Sequence, residues 1–175
     1  MIFFTADQHY GHSNIIDYCN RPFEDVNEMD KTLVMNHNAV VRDGDTVVHG
    51  GDFSMHSKYE YVLQRYVSVL KGEHIFLTGS HDKWLRKSPY QTLHIWERTI
   101  EKQFVVVCHY AMRTWAKSHY NSYQLYGHSH GRLEPIGKQW DIGVDNNHFY
   151  PVSYKQIKDI MDNRPDNPNL VRGRK

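Results

Sequence analysis

Five short apolar runs in this chain end in clusters of acid, histidine or hydroxyl residues: Asp7-Gln8-His9, Gly51-Asp52, Gly79-Ser80-His81-Asp82, Cys108-His109 and Gly127-His128-Ser129-His130. The preceding runs, residues 2–5, 46–48, 74–77, 104–107 and 122–126, are rich in β-branched or aromatic residues and bounded by turn formers, so each reads as a strand. A polar cluster directly after a strand lies on a loop at a sheet edge, where several strand ends can converge on one point. One Asp-x-His pair would carry little weight. Five clusters in the same place relative to their strands restrict the chain to folds that gather them. Residues 92–95 and 139–142 are weaker strand candidates, expected to add antiparallel.

Between the early strands the pattern turns helical. Ser57-Lys58-Tyr59-Glu60 has the form of a capping box, and Tyr59, Val62, Leu63, Tyr66 and Leu70 follow on one face. Asn27 can cap a second helix carrying Met29, Leu33 and Val40, and Ser153-Tyr154-Lys155-Gln156 opens a third with Ile157, Ile160 and Met161. A shorter helix is expected from Ser13, carrying Ile15 and Ile16 and ending before Arg21-Pro22. Strand–helix alternation followed by a strand-rich second half predicts an α/β (α+β) protein of layered sheets flanked by helices rather than one doubly wound sheet. With 175 residues the chain fits one domain, expected over 1–163. Pro165, Asn167, Pro168 and Asn169 break any pattern after it, so 164–175 is expected to be an exposed tail.

Twenty-one basic and 20 acidic residues give a net charge of +1, which provides no global electrostatic footprint for long nucleic acid or an anionic membrane. No apolar stretch approaches the roughly 20 residues needed to span a bilayer. The chain opens on a strand-like run rather than a signal peptide, so a soluble cytoplasmic protein is expected. Cys19 and Cys108 lack metal-knuckle spacing and are expected to be reduced thiols. Histidine is in excess, with 13 in the chain. Carboxylate oxygens and neutral imidazoles are the ligands that hard-to-borderline divalent ions prefer, and one carboxylate can bridge two of them. Two divalent ions are therefore expected. A ligand set without thiolate admits manganese, iron, zinc, cobalt or nickel, with manganese the first choice.

The order Asp7-x-His9, Gly51-Asp52, Gly79-Ser80-His81-Asp82, His109, Gly127-His128-x-His130 resembles the calcineurin-like metallophosphoesterase superfamily, over roughly residues 1–150. The resemblance implies a four-layer α/β/β/α sandwich of two mixed sheets flanked by helices, here a small member without a cap domain. It implies Asp7, His9 and His130 as ligands of one ion, His109 and His128 of the other, Asp52 bridging both, and Ser80 at the remaining ligand position. The superfamily places asparagine where this chain has Ser80, and the shorter hydroxyl predicts weaker binding of the second ion. His81 is expected to donate a proton or hydrogen bond to the departing oxygen, with Asp82 orienting its imidazole. The implied function is dinuclear-metal-dependent hydrolysis of phosphoesters. Two ions on one carboxylate lower the pKa of a shared water from 15.7 towards ~7, and the hydroxide attacks phosphorus in line.

The expected substrate is a small phosphoester or nucleotide, with a slight preference for diesters over monoesters. His12, Asn14, Arg21 and Arg113 are candidate substrate contacts, although Ser13 and Asn14 could simply cap their helix. His49, leading to Asp52, is a candidate supporting residue. Tyr10, Tyr110, Trp115, Tyr120 and Tyr126 offer aromatic faces for a nucleobase or for packing, and Arg172-Gly173-Arg174-Lys175 is either a polyanion contact or a solvated tail. Two further readings compete. Ser80 could mark a metal-binding relative with weak or no catalysis, and His81-Asp82 could be the doublet of an HD-type phosphohydrolase, whose helical context the strand-like 75–77 contradicts. A metallo-β-lactamase-like site would need His-x-His-x-Asp-His, whereas Gly131-Arg132 follows His130.

Overall fold

The computed structural model describes residues 1–171. Its elements are β1 (Ile2–Thr5), α1 (Asn14–Cys19), α2 (Val26–Val40), β2 (Thr46–His49), α3 (Tyr59–Arg65), β3 (Glu73–Phe76), β4 (Ile95–Ile100), β5 (Gln103–Cys108), β6 (Tyr123–Tyr126), β7 (Gln139–Asp141), β8 (Val152–Ser153) and α4 (Tyr154–Asp162). They form two mixed four-stranded sheets, ordered β3-β2-β1-β8 and β4-β5-β6-β7. Within the first sheet β1, β2 and β3 are parallel and β8 joins β1 antiparallel. Within the second β5, β6 and β7 are parallel and β4 pairs antiparallel with β5. Parallel bridges Ala6–Gly143 and Leu77–Leu93 stitch the two sheets together just past their strand ends.

Alternation along the strands decides what lies between the sheets. Phe4, Val48 and Leu77 from the first meet Trp96, Val105, Val107 and Leu125 from the second, and Ile157 and Met161 of α4 close this core. Each fully buried side chain of this kind contributes on the order of 1.5–3 kcal/mol, so the shared core holds the two sheets in fixed relation. On the other face of the first sheet, helices α1 to α3 pack Ile15, Met29, Leu33, Val62 and Tyr66 around Phe53, Phe76 and Trp84. Loop 110–122 covers the outer face of the second sheet: Gln124 bonds Met112 and Tyr110 in it, and Lys117 Nζ sits 4.0 Å over the Phe104 ring. No helix among the described residues is long and apolar enough to cross a membrane.

Several local expectations are corrected. Helix α2 starts at Val26 because Asp25, not Asn27, is its N-cap, its carboxylate accepting from the Asn27 and Glu28 N–H groups. The Ser57 capping box does not form: Lys58 precedes α3 without a side-chain cap. The Ser153–Gln156 box is present in full. The first weak candidate adds antiparallel as expected but lies at Ile95–Ile100 rather than 92–95, whereas β7 is parallel; β8 is a second antiparallel strand. Residues 164–171 are mostly exposed, but they are held to the rest of the chain. Asn167 is buried, its amide bonding the Ser118 and Ser122 carbonyls and its Oδ1 accepting from Lys138 N–H, and Val171 N–H reaches His119 O. The basic Arg172-Gly173-Arg174-Lys175 segment lies outside the described residues.

Candidate metal centre

The loops that leave β1, β2, β3, β5 and β6 meet at one edge of the paired sheets. Asp7, His9 and His130 each offer a ligand atom within 4.8 Å of one another, and Asp52, His109 and His128 form a second such group. Asp52 stands between them, its Oδ2 lying 3.7 Å from His9 Nε2 and 3.4 Å from His109 Nε2. Asp7, His9, Asp52 and His109 are buried, while His128 and Ser80 are exposed, so the cluster has a closed floor and an open rim.

Gathering these side chains strains the backbone. Asp7, His9, Asp52, His128 and His130 all sit at left-handed φ, between 49° and 65°, a conformation costing non-glycine residues on the order of 1–2 kcal/mol each. Gly79 is required by contact: a Cβ there would fall 2.2 Å from Asp52 Oδ1. Gly51, at φ 102°, turns the chain between β2 and Asp52. Two buried acids clamp the strained turns. Asp82 accepts from the N–H groups of Asp52, Phe53, Ser54 and Gly79 and from Trp84 Nε1. Asp141 accepts from Ser129 Oγ and from the N–H groups of Gly131 and Gly143.

Three buried atoms of the cluster have no hydrogen-bond partner: Asp7 Oδ1, His9 Nε2 and His109 Nε2. His109 Nε2 is near Asp52 but misaligned for a hydrogen bond. Leaving such atoms unpaired is costly, and all three belong to the two ligand groups, so the donor set fits cations. Ring tautomers agree. His109 Nδ1 donates to Gly50 O at 3.0 Å and His130 Nδ1 to Asp145 Oδ2 at 2.7 Å, which leaves both Nε2 lone pairs free. Without a cation the charges are frustrated. Burial pushes the Asp7 carboxyl up to about 7 against the pull of His130 and His109, and pushes the His9 imidazole down to about 3 despite Asp52. Burial works to raise Asp52 too, but the His109 imidazole, the His81 N–H and His9 hold it well below the usual carboxylate range.

The other sequence-predicted residues divide. His81 is at the rim, its N–H donating to Asp52 Oδ1 at 2.8 Å and its ring 5.4 Å from that of His9. His12 lies beside them, Nδ1 3.3 Å from His9 Nδ1. Ser80 donates its hydroxyl to Asp52 Oδ2 at 2.9 Å. Asp82 does not orient His81, because backbone N–H groups and Trp84 occupy its carboxylate; it is a clamp rather than a catalytic acid. Arg21 is not a substrate contact either. It is buried, bidentate to Asp145 with both bonds at 2.8 Å, and bonded to the Asp7 and Gln8 carbonyls. Asn14 and Arg113 are exposed, with no bond to the cluster. His49 reaches the site indirectly: its Nδ1 is 3.1 Å from Gln8 Nε2, between Asp7 and His9, and its Nε2 is 3.1 Å from His74. Tyr10, Trp115 and Tyr126 are buried and Tyr120 is exposed, while Tyr110 packs against His128 at the rim.

Asp145 escaped sequence reasoning. It follows β7 as Gly143-Val144-Asp145, an acid two residues past a strand-end glycine where Asp52 is one residue past Gly51, and that partial likeness was the available signal.

No family model matches the chain. It is similar to the uncharacterized protein MJ1445 of Methanocaldococcus jannaschii, 31% identical over 171 residues, covering 92% of this chain and 91% of that one. Among solved structures, the protein of unknown function AQ665 from Aquifex aeolicus superposes with a TM-score of 0.70 over 91% of this chain and 98% of its own, at 21% identity, a likeness of fold.

Proposed function

We propose that this chain, which belongs to one family with the uncharacterized Methanocaldococcus jannaschii protein, is a dinuclear-metal-dependent hydrolase of phosphoesters. The observation that carries this reading is the pair of ligand groups meeting at Asp52, with unpartnered atoms on Asp7, His9 and His109. On the same reading the two sheets, with α1 to α3 on one flank and loop 110–122 on the other, correspond to the four-layer sandwich of the calcineurin-like metallophosphoesterases, its last layer reduced to loop while α4 closes the core between the sheets. The free thiols of Cys19 and Cys108 fit a reducing cytoplasm.

Two divalent cations, manganese first, held by Asp7, His9 and His130 and by His109 and His128 with Asp52 shared, would acidify water towards neutral pKa and offset phosphoryl charge. The chain's own groups do the rest. Arg21 fixes Asp145 and the Asp7 carbonyl, and Asp145 fixes the His130 ring, so the floor is set before substrate arrives. With His9 Nε2 given to a cation, its Nδ1 would carry the proton and donate to His12 Nδ1, 3.3 Å away. His12 then keeps its own proton on Nε2, free to donate to a phosphoryl oxygen. His12 is held neutral for this, burial and the neighbouring His81 lowering its pKa. His81, anchored through its backbone to Asp52, is the donor to the departing oxygen.

The test is hydrolysis of bis(p-nitrophenyl) phosphate and p-nitrophenyl phosphate by protein loaded with manganese, zinc, cobalt or nickel. Turnover that disappears on chelation and in His128→Ala is expected. A protein that binds no cation and turns over neither ester overturns the reading. Metal retention without turnover is the second reading, favoured by the bond from Ser80 to Asp52, where the superfamily has a longer amide.

A further inference from the structure

The turn that follows His81 in the chain forms one wall of a hollow of about 390 Å³ whose lining carries Lys58, Lys83, Arg86 and Lys87 against the single acid Glu60. All four cations are exposed, and among the described residues none forms an ion pair. In a chain of net charge +1 this is a local concentration that global composition conceals. The hollow is built rather than incidental. One wall is the 3₁₀ turn Lys83–Lys87, which buries Trp84 and Leu85 and thereby turns Lys83, Arg86 and Lys87 outward. That turn begins directly after His81, and Lys83 N–H bonds His81 O at 2.8 Å. The other wall opens α3, downstream of Asp52 and Ser54. Asp82 ties the two walls together through Gly79 on one side and Asp52, Phe53 and Ser54 on the other.

A second feature points to the ligand. Exposed tyrosines bracket the site: Tyr18, with its ring edge-on to His12 at 6.2 Å, and Tyr110, edge-on to His128 at 4.8 Å. Rings so placed can stack on nucleobases.

We propose that the basic hollow binds a second phosphate on the leaving-group side, so that the substrate is a nucleoside phosphoester extended by at least one further phosphate. This deepens the phosphoester reading and rests on it. The hollow's cations are solvated, so their attraction for phosphate is screened by salt.

The experiment compares manganese-loaded wild type with Lys83→Ala/Arg86→Ala/Lys87→Ala on thymidine dinucleotide with and without terminal phosphates (pTpTp and TpT), and on ATP and AMP. Wild type should favour the phosphate-extended member of a pair in kcat/KM by about tenfold, and the variant should bring that ratio towards one. A gain for pTpTp identifies an oligonucleotide source, and a gain for ATP a nucleoside polyphosphate. A wild-type ratio near one in both pairs, or a ratio the variant leaves intact, overturns the proposal. A readout independent of turnover is the anisotropy of fluorescein-labelled hexathymidylate with metal-free protein. The variant should bind more weakly, with a salt slope flatter by about one for each phosphate it no longer neutralises. Binding through these residues by a protein that hydrolyses nothing would keep the hollow's role and defeat the phosphoester reading.

Discussion

Asp7, His9 and His130 sit in front of partners that are themselves anchored, whereas in the group of Asp52, His109 and His128 the first two are buried and held but His128 stands at the open rim. Behind the first group, His130 is oriented by Asp145, Asp145 is gripped by Arg21, and Arg21 also holds the Asp7 carbonyl. Nothing comparable stands behind His128 among the described residues; it is exposed, and its neighbours are His109 and the rim Tyr110. Ser80 spends its hydroxyl on Asp52 instead of reaching outward. The difference between the two groups therefore rests on His128 and Ser80. On the proposed two-ion reading, the ion at Asp7, His9 and His130 should be retained and the one at His128 lost first when supply is limited.

The most severe challenge to this asymmetry is Asp52→Asn, which removes charge both groups share. Turnover should fall on the order of 10²–10³-fold, with metal content reduced at both positions; near-native rates would show that Asp52 does not bridge. Next is Asp145→Ala, which frees His130 and Arg21 together. Manganese affinity at the tighter position should drop roughly 10–100-fold while the weaker is little changed, as read by calorimetric titration. Equal reductions at both positions would erase the asymmetry. The mildest change is Ser80→Asn, which restores a longer neutral oxygen beside Asp52. Affinity at the weaker position should rise about tenfold or less, narrowing the gap between the two titration steps. If the steps stay where they were, Ser80 is not what limits the second position.

Much of this was legible from side-chain type and position in the chain. A ligand residue just past a strand end is a local pattern, and it pointed to Asp7, His9, Asp52, His109, His128 and His130 because strand ends bring such loops to one edge. What was not legible depends on direction. Asp82 and Arg21 have the right chemistry for a site, but whether a carboxylate faces an imidazole or five donors is settled by packing around Trp84 and Asp145. The anchoring of the exposed tail was not legible for a related reason: Pro165 and Asn167 do break helical pattern, yet an asparagine amide can replace the backbone bonds a regular element would have supplied. Strand β4 was displaced because its turn lacks the usual signal. Glu101 and Lys102 occupy the two central positions of the hairpin at φ 47° and 72°, where asparagine and glycine are the preferred residues.

That hairpin turn has a practical side. It lies at the opposite end of β5 from His109, and Glu101→Asn/Lys102→Gly would relieve two left-handed side chains, raising stability by about 0.5–2 kcal/mol in urea denaturation. A chain reinforced there would give the site variants a wider margin, so that a missing ion and a collapsed fold could be told apart at the bench.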